Sequence, residues 1–117
     1  MSKIPSWAVE YVGIPFVLGG ADSTGADCYG LVSMILTSQT GSPLPETPDQ
    51  AKSEGWYVVP MSDVRRGDVI LFKLPGGATH VAFMITDEHF IETKPGSSSA
   101  VRRVTYFSGR TTAWRRI

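Results

Sequence analysis

The chain has 117 residues, 42% hydrophobic and 19% charged, and its eleven acidic and eleven basic residues give a formal net charge of zero. This length and composition are typical of one globular domain, which we place at residues 1–117, and they exclude a disordered tail. The balanced charge argues against a nucleic-acid partner, which would need a strongly basic surface. No apolar run approaches the roughly 20 residues of a membrane span, so we predict no membrane insertion.

The N-terminal segment and the few cysteine and histidine residues bear on export, disulfide formation and metal binding. The segment MSKIPSWAVEYVG contains no apolar stretch of the kind found in secretory signals, so we expect a protein made in the cytoplasm without a signal peptide. Cys28 is the only cysteine, which excludes an internal disulfide. One cysteine and two histidines at these spacings match no zinc pattern, so we predict no metal and no cofactor.

The first half of the chain is predicted to be helical. A short helix over 5–12 is expected to begin with Pro5 as its first helical residue. Apolar residues at helical spacing predict a second helix from about residue 27 to 39. Thr47 is the predicted N-cap of a third helix, in which Pro48 is the first residue and Gln50 closes a capping box.

The second half reads as short strands separated by glycine-rich and acidic turns. Helices followed by strands predict an α+β fold, with N-terminal helices packed on an antiparallel sheet. The predicted strands cover 57–59, 69–74, 81–85, 90–93 and 101–104. The predicted core residues of the sheet are Val69, Leu71, Val81, Phe83 and Ile85.

Cys28 is predicted to lie in the first turn of the second helix, directly after a glycine-rich approach. The unpaired N–H groups and the helix dipole at that position favour an anion such as a thiolate, and they lower a thiol pKa. A lone cysteine is more commonly a small buried apolar side chain. The glycines favour the reactive interpretation, because a cysteine open to substrate and packed against another backbone needs them.

The segments GIPFVLGG and GADCYGLV together resemble the signature of the NlpC-type cell-wall cysteine peptidases, papain-like enzymes that cut the peptide stems of peptidoglycan. Later parts of the chain fit the same pattern in the same order, so the resemblance covers nearly all of it. It implies a papain-like α+β fold with Cys28 as the nucleophile. It also implies that the backbone N–H of Cys28 contributes to the oxyanion hole.

The resemblance also implies the partners of the nucleophile. His80, at the start of the segment HVA, occupies the place of the family's base, whereas His89 is expected to be an exposed turn residue. The third residue of the family is usually His, Asn or Gln, and Glu92 stands there. Side chains alternate between the two faces of a strand, and His80 and Glu92 both have even residue numbers. They therefore share one face if their strands pair across an odd-length turn. A solvent-facing role for Glu92 is the alternative.

Three further positions are predicted to contact substrate. Asp27 matches a residue that recognises the stem peptide in the cell-wall enzymes. The next position after the nucleophile is commonly serine and here is Tyr29, and the common tyrosine before the paired glycines is Phe16. Tyr29 and the ending AWRRI resemble the subset of the family attached to phage tails and gene-transfer particles.

The expected function is therefore cleavage of stem-peptide amide bonds by a cysteine peptidase, carried on a phage or gene-transfer-particle tail to open the wall for DNA delivery. Its partners would be the stem peptide and phage-tail structural proteins, and it would act in the host cell wall or periplasm. Two alternatives remain open. One is a structural tail-tip protein with a degenerate site, and the other is a papain-like amidase or acyltransferase.

Overall fold

A long helix is the central element of the N-terminal half. The computed structural model of the chain describes residues 3–104 and 110–116, with the backbone alone at residue 110. Helix α1 (Cys28–Thr40) confirms the predicted helix over 27–39 to within one residue. Asp27 caps its start, and Gly41, at a φ of 83°, ends it in the left-handed conformation. Its buried residues are Gly30, Leu31, Val32, Ile35 and Leu36.

The predicted helix over 5–12 is wrong in type. Ser6–Tyr11 form a 3-10 helix, and Pro5 is its extended N-cap rather than its first residue. The segment has fewer than two α-helical turns, and short pieces of chain commonly adopt the tighter 3-10 geometry. The ring of Trp7 makes T-shaped contacts with the rings of Tyr11 and Phe83. The distances between ring centroids are 6.0 Å and 6.4 Å. These contacts fix the N-terminal segment to the sheet.

Helix α2 (Pro48–Ser53) begins as predicted. The Thr47 hydroxyl accepts a hydrogen bond from the Gln50 N–H at 3.1 Å. The Gln50 side chain reaches back to the N–H of Glu46 at 3.2 Å, one residue earlier than a regular capping box requires. Within the described ranges, no helix has both the length and the apolar content needed to cross a bilayer.

A six-stranded antiparallel sheet forms the second half, and the predicted α+β class is confirmed. A small hairpin of β1 (Ala21–Asp22) and β2 (Gly25–Ala26) precedes α1 and was not predicted. The strands of the sheet are β3 (Trp56–Val59), β4 (Val69–Lys73), β5 (Thr79–Met84), β6 (His89–Glu92), β7 (Ala100–Arg103) and β8 (Arg110–Arg116). Their order is β3-β8-β4-β5-β6-β7.

Strand β8 corrects the prediction of a simple meander, because it lies between β3 and β4. An ion pair holds it there. The Arg115 guanidinium donates from Nε and Nη2 to the two carboxylate oxygens of Asp68, both at 2.8 Å, and Asp68 is buried at the entry of β4. Arg115 belongs to the AWRRI ending that suggested phage-tail relatives, and it therefore has a structural role. Ile117, its last residue, lies outside the described part of the chain.

Each face of the sheet has its own cluster of buried apolar residues. Val69, Phe83 and Ile85 lie in the core shared with α1, as predicted. Leu71 and Val81 were predicted to be core residues but are only half-buried, because they line a pocket beside α2. The opposite face has a separate apolar cluster of Ile70, Phe72, Ala82, Met84 and Phe90.

Candidate active site

Cys28 is the first residue of α1, so the helix itself positions the thiol. The Asp27 carboxylate accepts from the Gly30 N–H at 2.7 Å and from the Gly19 N–H at 2.9 Å, which fastens the helix start to the preceding loop. The N–H of Cys28 is among the first four of the helix, which have no acceptor within the helix. Cys28 is half-buried, and its surroundings at the positive end of α1 favour a thiolate.

Glycines allow this helix start to approach the loop closely. A Cβ at Gly30 would lie 2.0 Å from the carbonyl oxygen of Gly20, and a Cβ at Gly20 would lie 2.4 Å from the carbonyl oxygen of Gly25. Real Cβ atoms do not come this close to backbone atoms, so a side chain would force the loop and the helix apart. The glycine-rich approach seen in the sequence is therefore a backbone contact that places Cys28.

His80 enters the site from the start of β5. Cys28 lies close enough to raise the pKa of the His80 imidazole, whose Nε2 lies 2.7 Å from Oε1 of Glu92. Since Nε2 is taken by Glu92, Nδ1 is the nitrogen left for Cys28. The ring also lies against Phe72, directly across the β4–β5 ladder, with 5.1 Å between centroids. The contacts with Glu92 and Phe72 fix the orientation of the imidazole.

Glu92 meets His80 because of the strand register. Phe83 pairs with Ile91, so the next position places Glu92 beside Ala82, diagonal to His80 on the same face. The predicted shared face is therefore present in the structure, and Glu92 is only 5% exposed. The prediction of His89 as an exposed turn residue is wrong: it is the half-buried first residue of β6, and its Nδ1 bonds to the Thr86 hydroxyl at 2.9 Å, away from this contact.

Two cations that the sequence analysis did not connect with the site converge on Glu92. Arg102 donates from Nε to Oε2 at 2.6 Å, and the Lys94 ammonium lies 3.5 Å from the same oxygen. Arg102 pairs with Phe90 across the β6–β7 ladder, so it is diagonal to Glu92. Finding it from sequence would have required the register of that ladder, which no local pattern indicates.

The protonation states follow from these contacts. Burial alone would raise the pKa of Cys28, but the hydrogen bond and charge of His80 and the Val81 N–H together lower it below its ordinary value. Burial would lower the pKa of His80, but its bonds to Cys28 and Glu92 outweigh burial and raise it to about 9. Burial likewise opposes ionisation of Glu92, yet the hydrogen bonds from His80 and Arg102 lower the pKa of this carboxyl.

The lowered pKa of Cys28 and the raised pKa of His80 favour a thiolate–imidazolium pair, with the Glu92 carboxylate bonded to the other nitrogen of the ring. A thiolate is the nucleophilic form of cysteine, and an imidazolium is a proton donor for a leaving group. The carboxylate holds the ring and favours its charged state. No group of three or more His, Cys, Asp or Glu side chains that could hold a metal ion occurs among the described residues.

The three predicted substrate-binding residues lie near the nucleophile but make different contacts. Asp27 caps α1 with one carboxylate oxygen and accepts from the Gly19 N–H with the other, and its recognition role stays a prediction. Tyr29, on the first turn of α1, donates its hydroxyl to the carbonyl of Leu44 and lines the pocket beside α2. Phe16 is half-buried and pairs with Ala26 next to the cap. Its contact with substrate also stays a prediction.

Substitution of Glu92 is expected to slow turnover in two steps. Glu92→Gln keeps one acceptor, but His80 and Arg102 both offer donors, so the amide can serve only one of them. We expect a loss of about tenfold or less, because charge-assisted hydrogen bonds are roughly twice as strong as neutral ones. Glu92→Ala removes both acceptors and should be slower still. Steady-state kinetics on variants with native thermal unfolding checks this order, and wild-type rates in folded Glu92→Ala would contradict an orienting role.

Fold and site define a papain-like protein with a cysteine at a helix start facing a histidine on an antiparallel sheet. The chain belongs to the NlpC/P60 family, whose sequence model matches residues 13–116. Protein P54 of Enterococcus faecium is 28% identical over 108 residues, which are 92% of this chain and 21% of that protein. Murein DD-endopeptidase MepS/Murein LD-carboxypeptidase of Escherichia coli strain K12 is 29% identical over 96 residues, which are 82% of this chain and 50% of that protein.

A solved structure agrees with this relationship. The crystal structure of the NlpC/p60 domain of peptidoglycan hydrolase SagA superposes with a TM-score of 0.72 at 30% identity, and the match covers 90% of each chain. This chain thus corresponds to nearly all of that domain, whereas it spans between about a fifth and a half of the two curated relatives.

Proposed function

We propose that this protein is a cysteine endopeptidase that hydrolyses amide bonds in the stem peptides of peptidoglycan. The observation that carries the proposal is the meeting of Cys28, at the start of α1, with His80, whose Nε2 lies 2.7 Å from the Glu92 carboxylate. Similarity to a murein endopeptidase and to the domain of a peptidoglycan hydrolase supports the choice of substrate. The contacts of the three side chains support the catalytic roles proposed for them.

In the first half-reaction, the Cys28 thiolate attacks the carbonyl carbon of the scissile amide. Negative charge then moves to the carbonyl oxygen, where the N–H of Cys28 and the positive end of α1 stabilise it. His80 gives its proton to the amide nitrogen, the C–N bond breaks, and the amine product leaves. The acyl group remains on the sulfur of Cys28 as a thioester, and His80 is now neutral.

In the second half-reaction, neutral His80 takes a proton from a water molecule that attacks the thioester carbonyl. The carboxylic acid product leaves, the C–S bond breaks, and the thiolate–imidazolium pair is restored. Glu92 stabilises the charged ring at both ends of the cycle and keeps Nδ1 directed at the sulfur. Arg102 keeps Glu92 ionised and in place.

The proposed cycle has a distinct pH dependence. Turnover is expected to fall as pH rises through about 9, the pKa of His80, because the imidazolium then loses the proton needed by the leaving amine. It should fall again at acid pH, as protonation removes the thiolate, whose pKa is depressed. Rates on a soluble stem-peptide fragment across this range test both limbs, and a rate that continues to rise well above pH 9 would contradict the cycle.

Digestion of purified peptidoglycan tests the proposal itself. Each cut should add one water and create one new amine and one new carboxylate, which chromatography and mass spectrometry of the released fragments locate. Cys28→Ala, measured beside the wild type, should release nothing. If folded wild-type protein releases no fragment from walls with several stem compositions, the activity is absent and a structural role remains.

We also propose the biological setting expected from the sequence, a protein made in the cytoplasm and assembled into a phage or gene-transfer-particle tail to act in the host wall. The support is the resemblance of Tyr29 and of the AWRRI ending to the subset found on such particles. Mass spectrometry of purified particles from a producing strain is the test. Particles that lack this chain while the cell wall or cytosol contains it would contradict the proposal.

A further inference from the structure

A cavity of about 400 Å³ adjoins the catalytic pair on the side of the carboxylate. Its lining includes His80 and Glu92 but not Cys28. Glu92 bonds to Nε2 of His80, whereas Nδ1 is the nitrogen left for Cys28. A group bound in this cavity therefore meets the imidazole on its Nε2 side, away from the reacting sulfur.

The cavity lies on the sheet face opposite to the core shared with α1. Phe72 and Phe90, from the buried cluster of that face, form part of its wall. His80 pairs with Phe72 across the β4–β5 ladder, so these two side chains share the face, and Arg102 pairs with Phe90 across the β6–β7 ladder in the same way. The other apolar lining residues are Leu74 and Pro95. Concave, largely apolar walls with a few polar groups are the usual form of a small-molecule site.

Three cationic groups share one carboxylate in the wall of this cavity. Oε1 of Glu92 lies 2.7 Å from Nε2 of His80. Oε2 accepts from Nε of Arg102 at 2.6 Å and lies 3.5 Å from the Lys94 ammonium. In the part of the chain that the structure describes, no second carboxylate lies within ion-pair distance of Arg102 or Lys94. While His80 is protonated, the wall therefore has an excess of positive charge, which favours an anionic ligand.

The excess charge is accessible to a ligand. The side chains of Arg102 and Lys94 are 41% and 54% exposed, whereas that of Glu92 is 6% exposed. A guanidinium has five N–H donors, and Glu92 takes the one on Nε of Arg102. The terminal N–H groups of Arg102 are left to bind a planar carboxylate, the anion that a guanidinium fork matches in shape.

We propose that this cavity is a binding site for a small organic anion, a carboxylate attached to a short apolar group. Arg102 and Lys94 bind the carboxylate, and the apolar group lies against Phe72, Leu74 and Phe90. The site goes beyond the proposed function, because binding there requires no cleavage. The carboxylate comes either from a separate molecule or from the end of the peptide substrate, and the two sources give different kinetics.

A bound anion is expected to act on His80. Its negative charge adds to that of Glu92 and favours the imidazolium. It also draws Arg102 and Lys94 away from Glu92, which leaves more of the Glu92 charge to the ring. Both effects stabilise the protonated imidazole, so the titration of His80 should move to higher pH when the site is occupied.

NMR of the imidazole rings tests binding without any need for turnover. The chain has two histidines, so His89 is an internal control, and the His89→Gln variant assigns the signals. The probe is phenylacetate, compared at equal ionic strength with its neutral counterpart phenylacetamide and with acetate, which lacks the ring. Phenylacetate should shift the His80 signals, leave those of His89 unchanged, and move the His80 titration up by about 0.5 pH units or more. Phenylacetamide and acetate should each bind about tenfold or more weakly.

Variants separate the charge from the apolar wall. Arg102→Gln should weaken phenylacetate binding by about tenfold and Lys94→Gln by about two- to fivefold, because a hydrogen-bonded charge contributes more than an exposed ion pair. Lys52→Gln, the same change at an exposed position on α2, should have no effect. Leu74→Ser should weaken phenylacetate and leave acetate unchanged. Leu74 is exposed, so this variant and Lys94→Gln keep the test available if Arg102→Gln does not fold.

Kinetics on a stem-peptide fragment distinguishes the two sources. If the carboxylate is the substrate's own, a fragment with a terminal carboxamide has a higher KM than the free acid, and phenylacetate competes with the substrate. If the anion is a separate molecule, the two fragments have equal KM, and phenylacetate moves the alkaline limb of turnover to higher pH without competing.

Equal affinity for phenylacetate and phenylacetamide would overturn the site, and so would unchanged binding in folded Lys94→Gln and Leu74→Ser proteins. Ring signals that move at His89 rather than at His80 would place the probe elsewhere and have the same consequence. Because binding is measured on the imidazole, selective phenylacetate binding in a protein that digests no peptidoglycan would support the site and overturn the proposed function alone.

Discussion

His80→Gln is expected to reduce kcat/KM for stem-peptide cleavage by about 10²- to 10⁴-fold, the usual contribution of a positioned acid–base group. Glutamine fills much of the same space and still forms hydrogen bonds, but it neither carries the charge that stabilises the thiolate nor transfers a proton. Burial raises the pKa of the Cys28 thiol, and in this variant the charge of His80 no longer opposes that effect, so the thiol pKa should rise. Steady-state kinetics and the pH dependence of thiol alkylation, measured on the same preparation, check both consequences.

The second histidine supplies the matched control. His89, the first residue of β6, bonds to Thr86 and not to Cys28. His89→Gln should therefore change kcat/KM by less than about threefold, well below the range for an acid–base residue. Equal losses in the two variants, or no loss in a folded His80→Gln protein, would remove His80 from the mechanism.

Gly30→Ala is expected to damage both stability and activity. The new Cβ would lie 2.0 Å from the carbonyl oxygen of Gly20. Because that oxygen belongs to the backbone, either the helix or the loop must move to relieve the clash. Overpacking of this kind typically costs about 1–3 kcal/mol of unfolding free energy. Displacement of the helix start also moves Cys28 relative to His80, and a 1 Å error in such geometry costs about 10²-fold in rate. Urea unfolding and kinetics measure the two effects.

Gly25→Ala is the comparison for that experiment. Its Cβ would lie 2.3 Å from Cγ2 and 2.8 Å from Cβ of Val17, so the exposed loop at Val17 must shift, but the three nearest atoms all belong to this side chain and none to the backbone. The same one-carbon addition should therefore cost less stability and less activity there than at Gly30. A Gly30→Ala protein as stable and active as Gly25→Ala would show that the close approach of loop and helix is not what places the thiol.

Local sequence patterns were sufficient for the elements whose contacts are close along the chain. The helix over 27–39 follows from apolar spacing, and the structure adds Asp27 as its N-cap and Gly41 as its C-cap. The contact between His80 and Glu92 follows from equal parity across a short turn, because β5 and β6 are consecutive strands. These features depend on rules that act over a dozen residues or fewer.

Features that depend on distant pairing were not predictable. Strand β8 lies between β3 and β4 because Trp114 pairs with Val58 and Val69, more than forty positions away in each case. Arg102 reaches Glu92 only through the register of the β6–β7 ladder. Leu71 and Val81 have the alternating pattern of core residues, and nothing near them in sequence indicates that the segment before α2 leaves a pocket above them.

Alkylation of Cys28 by iodoacetamide as a function of pH tests most directly whether the site holds a thiolate–imidazolium pair. Cys28 is the only thiol in the chain, so intact mass reports its reaction alone. The lowered pKa of Cys28 and the raised pKa of His80 together predict that the thiolate is present while His80 is still protonated, so the labelling midpoint should lie below the value of a free cysteine. His80→Gln should move that midpoint to higher pH. A wild-type midpoint at or above about 8.5, the pKa of an unperturbed thiol, would contradict the ion pair and the mechanism that depends on it.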